Sequence, residues 1–201
     1  MDAVRVSALR ERLAGTGWLE AVGGFGGSLR RSVERRGAGG LLLVGTEAYE
    51  PWHLAAHLDD EAAWSAVPRL APTLLRHRPP AGAPAHLAHG LRRLAGAGRG
   101  ATVLVVAPGA AGAPLLERVR DARRQGATVL ALDGAADAGA GDLGALAHER
   151  LAVGTAAEEP FDLAQHLVSA AAGEPAGRRS ALGRLADLAG RLTSAPSISR
   201  W

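Results

Sequence analysis

The segment that most constrains the fold runs from Thr102 to Leu132. Thr102-Val-Leu-Val-Val-Ala is a β-branched, apolar run that reads as a strand buried on both faces. Pro108 to Gly112 forms a loop. Pro114 to Gln125 then carries Leu115, Leu116 and Val119 on one face, with Arg118, Arg123 and Arg124 on the other. Gly126 stops that helix, and Ala127 to Leu132 is a second apolar strand. A crossover of this length between two apolar strands implies a parallel pair.

The remaining chain extends the same alternation. Met1 to Ala14 reads as a helix, with Val6, Leu9 and Leu13 on one face. Trp18, Val22, Phe25 and Leu29 recur at helical spacing, but Gly23, Gly24, Gly26 and Gly27 interrupt them. Four interior glycines cost about 3–4 kcal/mol relative to alanine. The segment is therefore either two short helices or one helix pressed closely against another backbone. Leu41 to Gly45 reads as a short buried strand, and Pro51 opens a helix through about Leu58. Pro68 and Pro72 confine a strand over Val67 to Leu75 to a sheet edge. Arg76 to Pro84 is a Pro-rich loop, and Ala85 to Leu94 has a helical pattern. A short helix over Asp142 to Ala147, a last strand over Arg150 to Val153, and helices over Pro160 to Ala172 and Arg178 to Leu192 complete the series.

The expected architecture is α/β, a doubly wound, mainly parallel sheet of five strands. It forms one domain over 1–192: N-terminal helices over 1–36, a sheet core over 40–173 and a C-terminal helix over 175–192. Residues 193–201 are expected to be a flexible tail. In such sheets ligands bind beyond the carboxyl ends of the strands at the topological switch point. If the strands at Leu41 and Thr102 are neighbours, the loops after them, 45–50 and 107–112, lie there.

Composition narrows the chemistry. There is no cysteine among the 201 residues, which removes disulfides, thiolate nucleophiles and Cys-type zinc sites together. All 23 basic residues are arginine and the net charge is only +3, which does not call for nucleic acid. Arg30, Arg31, Arg35 and Arg36 form the densest basic run, without interleaved aromatics, and read as a solvated helix face. No apolar run approaches the roughly 20 residues of a membrane span, and Met1 to Gly15 lacks a continuous apolar signal core. The expectation is a cytoplasmic protein. With only 3% aromatic residues, Trp18, Trp52 and Trp64 are expected to anchor a core or an interface.

Two constellations carry candidate chemistry. His53 and His57 are spaced i, i+4, so both rings project from one helix face, a spacing that suits a divalent metal such as zinc. Glu50 sits one turn earlier as a possible third ligand, and His166 on the late helix is a further candidate. Separately, Ala107-Pro108-Gly109-Ala110-Ala111-Gly112 is a variant of a dinucleotide fingerprint, and Asp133 falls where a ribose-binding acid would sit. Against the latter, the fingerprint would open the third strand rather than the first. Small residues there equally serve close packing of helix on strand.

Several strings together resemble the sugar isomerase (SIS) domain family, nearest its phosphoheptose isomerases. Leu42-Leu-Val-Gly followed by His53-Leu-Ala-Ala-His57-Leu is similar to the family's glycine loop and its His-Phe-Ala-Ala-Glu-Leu helix. Val103-Leu-Val-Val, then Leu116 through Leu132, resembles its third strand, helix and fourth strand, and Leu143 to Val153 and Leu163 to Leu167 resemble its later elements. The resemblance spans roughly Leu29 to Gly173. It implies a phosphorylated sugar held by two loops, here Gly45, Thr46 and Glu47 in one and Pro108, Gly109 and Gly112 in the other. It also implies acid–base roles at His57 and His166, and a homodimer or homotetramer. The departures bear on activity. Resembling enzymes carry a proton-transferring Glu where His57 stands. The first loop holds Glu47 and Glu50, which would repel a phosphate, and the second loop, 107–114, has no hydroxyl. The leading expectation is therefore a degenerate SIS-like domain that binds a ligand or partner without catalysing isomerisation. The alternatives are a metal-dependent sugar-phosphate isomerase and a Rossmann-like nucleotide-binding protein.

Overall fold

The computed structural model describes residues 17–84, 88–134, 142–153 and 161–174. The helices expected over 1–14 and 178–192 and the tail 193–201 lie outside them. Five strands, β1 (Leu41–Val44), β2 (Pro72–Leu75), β3 (Thr102–Ala107), β4 (Thr128–Asp133) and β5 (Glu149–Ala152), form one parallel sheet in the order β2-β1-β3-β4-β5. Leu41 pairs with Thr102, so β1 and β3 are neighbours and their carboxyl ends define the switch point.

Burial follows strand position. β3 is buried at every residue, whereas edge strands β2 and β5 are largely half-exposed. Alternation sends Leu104, Val106, Leu130 and Leu132 to one face and Val103, Val105, Val129 and Ala131 to the other. The first face is covered by α1 (Trp18–Glu34), α2 (Trp52–Trp64) and α5 (Phe161–Gly173). The second is covered by α3 (Ala113–Arg124), α4 (Asp142–Leu146) and a 3-10 turn over Leu91–Gly96. Gly126, at φ +94°, ends α3: its N–H donates to Arg123 O and that of Ala127 to Ala122 O, a Schellman motif.

The glycines of α1 do not split it. The helix is continuous over 17 residues, and a Cβ on Gly26 would lie 2.5 Å from Ala171 Cβ and 2.9 Å from the Ala171 carbonyl carbon. Gly26 is thus the point where α5 crosses α1 at backbone contact. Arg30, one turn on, is buried rather than solvated, which corrects the reading of the basic run. Its Nη1 donates to the carbonyls of Ala172 (3.3 Å) and Gly173 (2.9 Å), capping the C-terminus of α5.

Two other expectations change. α2 continues past Leu58 to Trp64. The helix expected over Ala85 to Leu94 is replaced, among the described residues, by the 3-10 turn from Leu91. Gly90 is extended (φ −99°, ψ 174°), and Arg76 N–H donates to His89 O, so this stretch pairs alongside the end of β2 instead of coiling. Pro68 opens a separate 3-10 turn, Pro68–Leu70, and only Pro72 onward forms the edge strand. No helix among the described residues is long and apolar enough to cross a membrane.

Candidate metal centre

The first loop after β1 folds back on itself. A Cβ on Gly45 would lie 1.8 Å from Tyr49 O, so only glycine permits the turn that closes Thr46 onto Tyr49. Thr46 is buried, and Gly45 O accepts a hydrogen bond from His77 Nε2 at 3.0 Å. This tight turn delivers Pro51 and the start of α2 directly beside the carboxyl edge of the sheet.

α2 packs against α5, and their shared face holds the histidines. His53 Nε2 lies 2.6 Å from His166 Nε2 and 3.1 Å from His57 Nε2. The three rings have centroids 4.1–4.6 Å apart, and one ligand nitrogen from each lies within 4.8 Å of the other two. Tetrahedral zinc, with Zn–N of about 2.0–2.1 Å, places ligand nitrogens roughly 3.3 Å apart. Helical spacing explains the pair on α2, since i and i+4 share a face. The third comes from a helix 113 residues away in sequence.

The environment favours neutral imidazole, the ligating form. Partial burial and then the neighbouring histidines His57 and His53 push His166 down to about 4; Asp162 opposes this. Burial and His53 likewise lower His57, against the pull of Asp60. Proton sharing cannot satisfy all three rings at these distances, because one N–H on His53 can point at only one partner. A cation at the centroid satisfies them together, so the donor set fits a divalent metal.

Glu50 is not part of this set, contrary to the expectation of a third ligand. Arg76 Nε lies 3.0 Å from both of its oxygens, and Trp52 Nε1 donates to Oε2 at 2.8 Å. The Arg76 guanidinium also stacks 5.0 Å from the Trp52 ring centroid. Burial tends to raise the Glu50 carboxyl, but the bonds from Arg76 and Trp52 outweigh it and hold it below the usual range. Glu47 pairs with Arg78 through a single contact, both side chains exposed. The two carboxylates expected to repel a phosphate are each neutralised by an arginine at the end of β2. Those arginines have one signal in the sequence: Arg76 directly follows a strand and Arg78 stands two residues further on, so both lie beyond its carboxyl edge.

Beside the centre, Gln165 is fully buried and its Nε2 donates to Tyr49 OH (2.7 Å) and Asp162 Oδ1 (3.0 Å). Tyr49 OH is 3.4 Å from the same carboxylate, and burial raises its phenol, helped by the Asp162 charge. This network ties the first loop to α5 next to His166. Nothing in residue spacing pointed to it.

The second loop lies elsewhere. Gly109 and Asp133 line a cavity of about 260 Å³ at the ends of β3 and β4, with Ala110, Leu116 and Arg150. Gly112 is the N-cap of α3, and Pro108 packs on Gly134. Asp133 is buried and takes a bidentate grip from Arg150, at 2.7 and 2.9 Å, so its lone pairs are engaged rather than open to a ribose.

No family model and no curated protein matches the chain. Solved structures do. A provisionally assigned sugar binding protein from Salmonella typhimurium LT2 superposes with a TM-score of 0.56 at 18% identity, over 94% of this chain and 52% of that one. A provisionally assigned phosphosugar isomerase from Silicibacter pomeroyi DSS-3 gives 0.54 at 20% identity, over 90% and 52%. The likeness supports the fold already described, a five-stranded parallel α/β sheet with flanking helices. At this identity the likeness concerns the fold, and the chain spans about half the length of those structures. Within this fold, the histidines occupy the first face of the sheet and the Asp133 cavity the ends of its central strands.

Proposed function

We propose that this protein is a metal-binding, SIS-like domain. In this reading His53, His57 and His166 would hold a divalent ion, zinc in the first instance, beside a bound phosphorylated sugar. The observation that carries it is the convergence of three imidazoles from two helices within 4.8 Å. Bound there, such an ion would supply Lewis-acid polarisation of a ligand oxygen. The chain's own residues set the rest: burial keeps His57 and His166 neutral, and the Tyr49–Gln165–Asp162 network fixes α5 relative to the first loop.

Binding is favoured over isomerisation. Aldose–ketose exchange needs a group that takes a proton from carbon and returns it. The resemblance places a carboxylate where His57 stands, and an imidazole committed to a metal has no lone pair for that task. The carboxylates of the first loop, Glu47 and Glu50, are tied to arginines. Self-association, which the resemblance implies, belongs to the same reading; Trp52 and Trp64 are 43% and 66% exposed on α2.

Metal analysis of untagged protein tests the reading, alongside a thermal-shift panel of sugar phosphates with and without zinc. Stoichiometric metal lost in His166→Ala, and sugar-phosphate stabilisation that requires metal, are expected. Turnover of a sugar phosphate would instead establish the isomerase. A stabilisation by NAD(H) alone would move the assignment to the Asp133 cavity.

A further inference from the structure

A second cavity, distinct from the histidine centre, lies on the opposite face of the sheet. It measures about 560 Å³ and is walled by the Leu91–Gly96 turn, α3 and the segment after β2. That volume is within the roughly 300–1,000 Å³ of small-molecule sites.

Its polar lining is entirely basic. Arg92 and Arg93 come from the 3-10 turn, Arg118 from the outward face of α3, and His77 and His89 from the chain after β2; no carboxylate lines it. Elsewhere the arginines near carboxylates pair with them: Arg30 with Glu34, Arg76 with Glu50, Arg78 with Glu47, Arg124 with Asp121 and Arg150 with Asp133. Arg92, Arg93 and Arg118 form no ion pair among the described residues. The carboxylate nearest in sequence on the face of Arg118 is Asp121, which lies with Arg124 instead. Three like charges around one concavity repel each other, and an anion seated among them relieves that repulsion.

The neighbouring imidazoles differ: neutral His77 has no proton left for an anion, whereas His89, accepting at Nδ1, keeps its Nε2–H as a donor. A carbonyl only accepts, so His77 uses its Nε2 proton on Gly45 O, leaving Nδ1 as its remaining polar atom. Arg93 Nη1 lies 3.5 Å from His89 Nδ1. No Phe, Tyr or Trp lines the cavity, so it offers no platform on which a base could stack.

We propose that this cavity is a binding site for a small molecule carrying two phosphate groups, a pyrophosphate ester or a sugar bisphosphate, held by Arg92, Arg93 and Arg118. Three forked guanidiniums match two multiply charged phosphates better than one. The site does not depend on the metal centre, which lies on the other face.

Calorimetric titration with pyrophosphate, inorganic phosphate and a twelve-nucleotide single-stranded RNA tests it. Pyrophosphate is expected to bind at least 10-fold more tightly than inorganic phosphate. The variant Arg92→Gln/Arg93→Gln/Arg118→Gln should weaken it at least 10-fold while its circular dichroism and thermal unfolding match the parent. Arg31→Gln/Arg35→Gln/Arg36→Gln, which removes the same charge from α1 and the residues after it, should bind as the parent does. So should His53→Ala/His166→Ala, whatever its metal content. Absent pyrophosphate binding, equal losses in the two arginine triples, or tighter binding of the RNA would each overturn the proposal, the last in favour of a nucleic-acid surface.

Discussion

His53 and His166, 113 residues apart in sequence, bring their Nε2 atoms to 2.6 Å across the contact between α2 and α5. The contact joins the two helices only if a proton or a cation lies between the nitrogens. Adding zinc should therefore stabilise the protein as a whole. A ligand present at 100 times its Kd adds about 2.7 kcal/mol to unfolding. Urea unfolding with and without zinc should show a gain of that order in the parent, and none in His53→Ala/His166→Ala.

The histidines also set a pH dependence in metal-free protein. His166 titrates at about 4 in the folded chain and His57 below its ordinary 6.5, so between these limits the unfolded chain binds more protons. Stability then rises with pH. It is fully present above the unfolded value and is lost as pH falls from about 6.5 towards 4. Unfolding free energies in chelator at pH 7.5, 6.0 and 5.0 should fall more steeply for the parent than for His57→Gln/His166→Gln. Parallel profiles would mean that neither burial nor the neighbouring imidazoles depress the two rings.

Glycines along α1 should divide by contact. At Gly23 and Gly24 an added Cβ meets open space, and alanine there should stabilise by up to about 1 kcal/mol. At Gly26 the same methyl enters Ala171 and the backbone of α5, and overpacking of this kind costs about 1–3 kcal/mol. Denaturant midpoints of Gly24→Ala and Gly26→Ala should move in opposite directions.

Glu50 holds Arg76 and Trp52 together at the mouth of the first loop, with the two charged side chains about three-quarters or more shielded. Glu50→Gln leaves a partly buried guanidinium without its counter-charge, which should cost about 1–3 kcal/mol at pH 7. Because the folded carboxyl is held below its ordinary value, the parent's advantage is present above about 4.5 and vanishes as pH falls through the folded value. Chemical unfolding of both proteins at pH 7 and pH 3 should show the gap narrow at the lower pH.

The sheet was legible because its central strands are continuous apolar runs, and the Thr102–Leu132 unit has a crossover, a glycine stop and a second strand in order. The alternation of strands and helices left open whether β1 and β3 are neighbours, which the pairing of Leu41 with Thr102 decides. What escaped depends on partners distant in sequence. The glycines around Gly26 fit two short helices or one closely packed helix equally well until Ala171 is found against Gly26, and Arg30 reads as solvated until the end of α5 is found beneath it. At the site, His53 and His57 declare themselves by helical spacing, and His166 was reached only as a loose candidate. Glu50 fits the spacing of a ligand equally well; only the position of Arg76 shows where its charge is spent.

X-ray absorption at the zinc edge, on untagged protein loaded with one equivalent and freed of excess, tests the central claim most directly. Three imidazole nitrogens at about 2.0–2.1 Å and one oxygen donor are predicted, the imidazoles reduced to two or the zinc lost when His166 is replaced by alanine. Zinc that washes away, or a coordination shell unchanged by His166→Ala, would contradict it.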